Sequence, residues 1–143
     1  MKKLDQIIFY SLEKSIKSYR QFAQKSIDKK GLDITIDQWL VLKTIENNAG
    51  MTQQQIAINV FKDYASITRI IEILVTKKYL ERNFHSVDRR RFDLSITKLG
   101  FEMLKRLTPI IESNRKQALN GITKSEIELL KNVLNKITEN VSK

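Results

Sequence analysis

The strongest constraint on the fold is an abrupt change of hydrophobic period. Residues 64–78 place Ile67, Ile70, Ile71, Leu74 and Val75 at helical spacing, the stripe of a helix with one buried face. Directly afterwards the period falls to two. Leu80, Arg82 and Phe84 alternate with Glu81, Asn83 and His85, and Phe92, Leu94 and Ile96 alternate with Asp93 and Ser95. These read as two short strands, joined by the polar run Ser86-Val87-Asp88-Arg89-Arg90-Arg91 as the loop of a hairpin. A helical period then returns. So small a sheet cannot bury a face by itself and must lean on helices. The expected class is mainly α with a two- or three-stranded antiparallel sheet.

Helix starts are marked independently. Thr35 with Gln38, Thr52 with Gln55, and Thr123 with Glu126 each fit a capping box, in which the hydroxyl and the side chain three residues on satisfy each other's free amides. These marks predict helices from Ile36 to about Asn47, from Gln53 to about Val60, from about Tyr64 to Lys78, and onward from Thr123. Asn47-Asn48-Ala49-Gly50 supplies a break between the first two. A long helix precedes them, from Leu4 to about Ile27, with Leu4, Ile7, Ile8, Leu12, Ile16, Tyr19, Phe22 and Ala23 on one stripe that needs a cover. Thr97 caps another helix toward Asn120, and Pro109 inside it predicts a kink near Lys105 because the ring removes a donor. Ile127, Leu130, Val133, Leu134, Ile137 and Val141 form the stripe of the last helix.

Composition narrows the chemistry. The chain has no Cys and one His, which excludes disulfides, thiolate zinc, a Cys nucleophile, thiol redox sensing and a His-His metal motif. No nucleophile-base pair, metal cluster or phosphate loop is seen, so neither an enzyme, a metal nor a cofactor is expected. Asp5, Gln6 and Glu13 break the apolar run that a secretion signal needs, and no apolar stretch is long enough to cross a bilayer. A cytoplasmic protein with no membrane partner is the expectation. The net charge of +10 predicts attraction to a polyanion, nucleic acid first. Residues 62–91 hold eight Lys or Arg against four Asp or Glu, so a net +4 sits on one helix and the hairpin.

Helix, short turn, helix and basic hairpin make a winged helix-turn-helix, which puts one helix in a major groove and the hairpin near a minor groove. Lys62, Ala65, Ser66 and Arg69, flanked by Thr68, lie opposite the isoleucine stripe. Small and hydroxyl side chains allow close approach to base edges, and Arg69 reaches guanine or phosphate. The helix start offers its free amides to a phosphate. Trp39, beside Leu40 and Leu42, reads as core packing, and His85 as a surface strand residue.

The run from Asp88 to Gly100, Asp-x-Arg followed by apolar-x-apolar-Thr-x-x-Gly, resembles the wing signature of the MarR family. Ser66 to Leu74 resembles that family's recognition helix, and Thr52 to Ala57 its supporting helix. The resemblance implies a single subunit over 1–143, with 1–30 and 101–143 as dimerisation helices and 33–100 as the DNA-binding lobe. It implies a cytoplasmic homodimer acting on double-stranded DNA as a transcription regulator, a repressor at an inverted repeat. Arg90 becomes the minor-groove reader, with Arg89 and Arg91 as backbone contacts or alternates and Asp88 holding the wing through an arginine. Ser66, Thr68 and Arg69 face the major groove, Thr52, Gln53 and Gln54 lie near phosphates, and Arg82 joins the DNA contacts. Tyr64 serves as a phosphate contact or as packing. Family members commonly bind small-molecule effectors between the dimerisation helices and the DNA-binding lobe, where Tyr10, Tyr19, Phe22, Phe101 and Met103 are candidates. The competing function is a protein-interaction module on a degenerate winged helix, with only non-specific affinity for DNA.

Overall fold

The computed structural model describes residues 1–84, 87–88 and 92–143, with the Phe92 side chain outside the description. After a short 3-10 turn at Leu4–Gln6, the order is α1 Ile8–Lys29, α2 Ile36–Asn47, α3 Gln53–Asn59, α4 Tyr64–Thr76, β1 Leu80–Phe84, β2 Phe92–Ile96, α5 Lys98–Ala118 and α6 Lys124–Val141. The three expected capping boxes form at Thr35, Thr52 and Thr123. Each such cap stabilises its helix by about 1 kcal/mol. Among the described residues the sheet has two strands, antiparallel, with Leu80 opposite Ile96 and Phe84 opposite Phe92.

The core lies where α2, α3, α4 and the base of the sheet meet the middle of α5. Val41, Leu42, Ile56, Ile67, Ile71, Leu74, Leu80 and Leu107 are fully buried. Ile70 and Val75, expected beside Ile67, Ile71 and Leu74, are partly buried against the same cluster. In β1 only Leu80 is buried, and the following four residues face water. The hairpin thus roots in the core at one end and projects from it.

The Thr-x-x-Gly sequence at the end of β2 has a structural reason. The Thr97 side chain accepts from the Gly100 amide at 3.0 Å, capping α5, and donates to the Lys78 carbonyl at 2.6 Å. The Thr97 amide donates to the Tyr79 carbonyl at 3.1 Å. A Cβ at position 100 would collide with that same carbonyl and approach Ile96 Cγ2 to 2.7 Å, so only glycine lets α5 start this close to the wing. Pro109 sits inside an uninterrupted α5.

The long helices behave differently from the core. Of α1, only Ala23 and Ile27 are buried, while Leu4, Ile7, Ile8 and Ile16 from the expected stripe face water. Helix α6 buries no residue among those described, and Leu129, Leu130, Val133 and Val141 are exposed. No described helix is long and apolar enough to cross a membrane.

Candidate nucleic-acid interface

Helix α4 begins at Tyr64 because Asp63 caps it. Its carboxylate accepts from the Ser66 amide at 2.7 Å. That bond, with further donors nearby, holds the Asp63 carboxyl below its ordinary range, so it stays charged. One of the amides at this helix start is therefore taken by the chain's own carboxylate, whose charge also repels a second anion.

The exposed face of α4 carries the remaining expected contacts. Ala65 and Arg69 face water, Ser66 is partly exposed, and Tyr64 stands 57% exposed. Thr68 is already engaged: its hydroxyl donates to the Tyr64 carbonyl at 3.0 Å and accepts from Gln53 Nε2 at 2.6 Å. Gln53 is the first residue of α3. This pair ties the start of α3 to α4. Thr52 serves as the cap of α3, and Gln54 is exposed.

Lys62 was expected among the DNA contacts. Its ammonium instead sits 3.1 Å from Asp37 in α2, and the same carboxylate takes a second bond from Arg20 of α1. Burial would push the Asp37 carboxyl up, but Arg20 and Lys62 more than offset it and hold the group below its ordinary value. Three elements distant in sequence therefore meet just before the recognition helix. Arg82 is exposed on β1, opposite Leu94, and Asp88 is partly buried. Arg89, Arg90, Arg91 and His85 lie outside the described residues.

Among the described residues, Tyr10 and Tyr19 of the expected effector set line two different hollows, and Phe22, Phe101 and Met103 line neither. Tyr10 and Phe22 lie roughly 18 Å apart along α1, given ~1.5 Å per residue. Met103 belongs to the core, Phe101 is half exposed, and Tyr10 lines a shallow groove formed by α1 alone. Tyr19 does line a cavity of about 250 Å³ between α1, α2 and α5, together with Ile16, Arg20, Trp39, Asn114 and Arg115. Trp39 is partly buried against the core, as expected, and the Arg115 guanidinium lies 5.9 Å from its ring centroid. Asn114 Nδ2 is buried with no hydrogen-bond partner among the described residues. No group of three or more His, Asp or Glu among those residues is placed to hold a metal ion.

A supporting helix locked to a second helix with an exposed polar face, followed by a hairpin rooted beside it, defines a winged helix-turn-helix protein. Residues 34–92 match the MarR family. A putative transcriptional regulatory protein for the hcr operon of Thauera aromatica is 30% identical over 99 residues, which span 69% of this chain and 58% of that protein's length. The structure of a MarR/EmrR family transcriptional regulator from Acinetobacter sp. superposes with a TM-score of 0.88 at 21% identity, over 99% of both chains. That of S. aureus MepR, solved as a complex with DNA, gives 0.85 at 21%, covering 94% of this chain and 98% of that one. At such identities the structural likeness is one of fold. Residues 34–92 thus form a MarR-family domain, in a chain with the winged helix-turn-helix fold of that family's solved regulators over nearly its whole length, a family of non-enzymatic proteins.

Proposed function

We propose that this chain is a cytoplasmic homodimer that binds double-stranded DNA at an inverted repeat and represses transcription there. The observation that carries the reading is the face of α4 opposite Ile67, Ile71 and Leu74. Ser66 and Arg69 present short polar and cationic groups on it, and the Gln53–Thr68 bond fixes α3 beside them. Such a face fits a major groove, with serine close to base edges and arginine reaching guanine or phosphate. Arg82 and the arginines 89–91 add the charge of a wing for the neighbouring minor groove, Arg90 as its reader and Asp88 as its brace. Thr52, Gln54, Lys62, Tyr64 and Ala65 flank the same surface.

The dimer is formed by residues 1–30 and 101–143, leaving 33–100 as the DNA-binding lobe. Its support is the apolar stripe that α1 and α6 leave uncovered in one copy. A two-fold axis then presents two α4 helices to half-sites about one helical turn apart. An effector enters the cavity between α1, α2 and α5. Its apolar walls, two arginines and the unpaired Asn114 amide suit an apolar molecule with an anionic or carbonyl head. By linkage it releases DNA only if it prefers a dimer with another lobe spacing.

The test is selection of the full chain against a random duplex pool at moderate salt. Enrichment of an inverted repeat is the expected result. Salt-sensitive retention with no enriched sequence would replace this reading with that of a protein-interaction module with general DNA affinity.

A further inference from the structure

The end of α3 is closed by a device that ordinarily uses glycine. The Phe61 amide donates to the Ile58 carbonyl at 3.3 Å and the Lys62 amide to the Ala57 carbonyl at 3.0 Å, the paired bonds of a Schellman turn. The residue between them must be left-handed, and Phe61 has φ +61°. Side chains with a Cβ disfavour that conformation, and glycine adopts it freely. The chain has this option elsewhere: α1 ends in the same way on Gly31, at φ +73°. Lys78, the other non-glycine case, keeps a polar side chain in water and has its carbonyl fixed by Thr97. Phe61 instead is 92% exposed, so position 61 combines a disfavoured backbone with a bare aromatic ring.

Both features lower the stability of the isolated chain, and strain of this kind collects where a surface is used. The location says which surface. Phe61 lies three residues before α4, next to Lys62, with exposed Ile58 on one side and exposed Tyr64 on the other. It adjoins the start of α4 in sequence and lies in the lobe outside the helices assigned to the dimer.

We propose that Phe61 is a DNA contact whose ring packs on C–H surface of the duplex beside the recognition helix, a thymine methyl or a deoxyribose. Thymine methyls in the major groove take apolar contacts of this sort, and the left-handed turn holds the ring outward in advance. The inference rests on the DNA-binding reading above. It adds an apolar, salt-insensitive contact to a surface otherwise built from polar and cationic groups.

The test uses the full chain and the duplex enriched by the selection, with Phe61→Gly, Phe61→Asn and Arg69→Ala. Phe61→Gly is expected to melt higher by about 2–4 °C, since glycine relieves the turn, and yet to bind roughly tenfold more weakly, the loss of one well-packed contact. Its dependence on salt stays that of the wild type, because no cation is removed. Phe61→Asn, which also tolerates the left-handed region, is expected to weaken binding equally and guards against a folding defect peculiar to glycine. A duplex with uracil for thymine separates the two sources: the wild type loses the same factor if the ring meets a methyl and none if it meets the sugar. Arg69→Ala weakening the complex while both Phe61 variants bind like the wild type would overturn this inference alone and assign the patch to a protein partner. Absence of any enriched duplex would overturn it together with the reading it rests on.

Discussion

Replacing Asp37 by Asn keeps the shape of the side chain and removes the charge shared by Arg20 and Lys62. A secluded charge-assisted hydrogen bond contributes about 1.5–3 kcal/mol. Here the three side chains keep 29–38% of their surface in water, so screening draws each bond toward the ~0.5–1 kcal/mol of exposed pairs. The two together are expected to contribute about 1–2 kcal/mol, or roughly 3–6 °C in melting temperature for a chain of this size. The pH dependence has a definite sign. The Asp37 carboxyl is lowered in the folded chain, so between its folded and unfolded values the unfolded state binds more protons. Its stabilisation is therefore complete above the unfolded value near ~3.9 and is lost as pH falls through the folded one. Urea unfolding of wild type and Asp37→Asn should show a constant deficit from pH 8 to 5 that closes under further acidification. A deficit below about 0.3 kcal/mol at pH 7, within the range of ordinary surface substitutions, or one indifferent to acid, would refute the view that this carboxylate clamps α1 to the turn before α4.

Gly100→Ala drives a methyl into the Tyr79 carbonyl, and a loss of about 2–3 kcal/mol is expected from overpacking against backbone, read by denaturant melts. Gln53→Ala and Thr68→Val, alone and combined, should show a coupling of about 0.5–1.5 kcal/mol in a double-mutant cycle on stability; strict additivity would mean the bond between α3 and α4 contributes nothing. Leu130→Asp puts a charge on the uncovered stripe of α6 and is expected to sediment as a monomer where the wild type sediments as a dimer; an unchanged dimer would move the interface elsewhere.

The sequence carried those features that depend on neighbours within a turn. The Thr-x-x-Gln and Thr-x-x-Glu pairs put helix starts at Ile36, Gln53 and Lys124 because both partners of a capping box are three residues apart. The two strands were legible from alternation, and α4's buried face from its isoleucines. What escaped depends on partners far along the chain or on backbone conformation. Arg20, Asp37 and Lys62 are separated by 17 and 25 positions, and nothing in their local patterns pairs them. Asp63 was readable as a cap from its place before α4, yet no acidic or amide partner three residues on completes a box, so its occupation of the helix start was missed. Phe61 gave no signal because a left-handed turn usually announces itself with glycine. The cavity between α1, α2 and α5 was hidden for a related reason: a helical stripe shows which side of α1 is apolar, not which helix faces each turn of it.

Thr97 has a mechanical consequence. One side chain closes the first turn of α5 and grips the chain entering β1, while its amide holds the next carbonyl along. The hairpin and the first turn of α5 therefore turn as one piece, like a key and its bow. A five-residue strand is roughly 17 Å long, so a tilt of α5 by about 10° sweeps the far end of the hairpin through roughly 3 Å, the length of one hydrogen bond. A tilt of that size at α5 would thus reach the hairpin's end as a displacement large enough to make or break a contact.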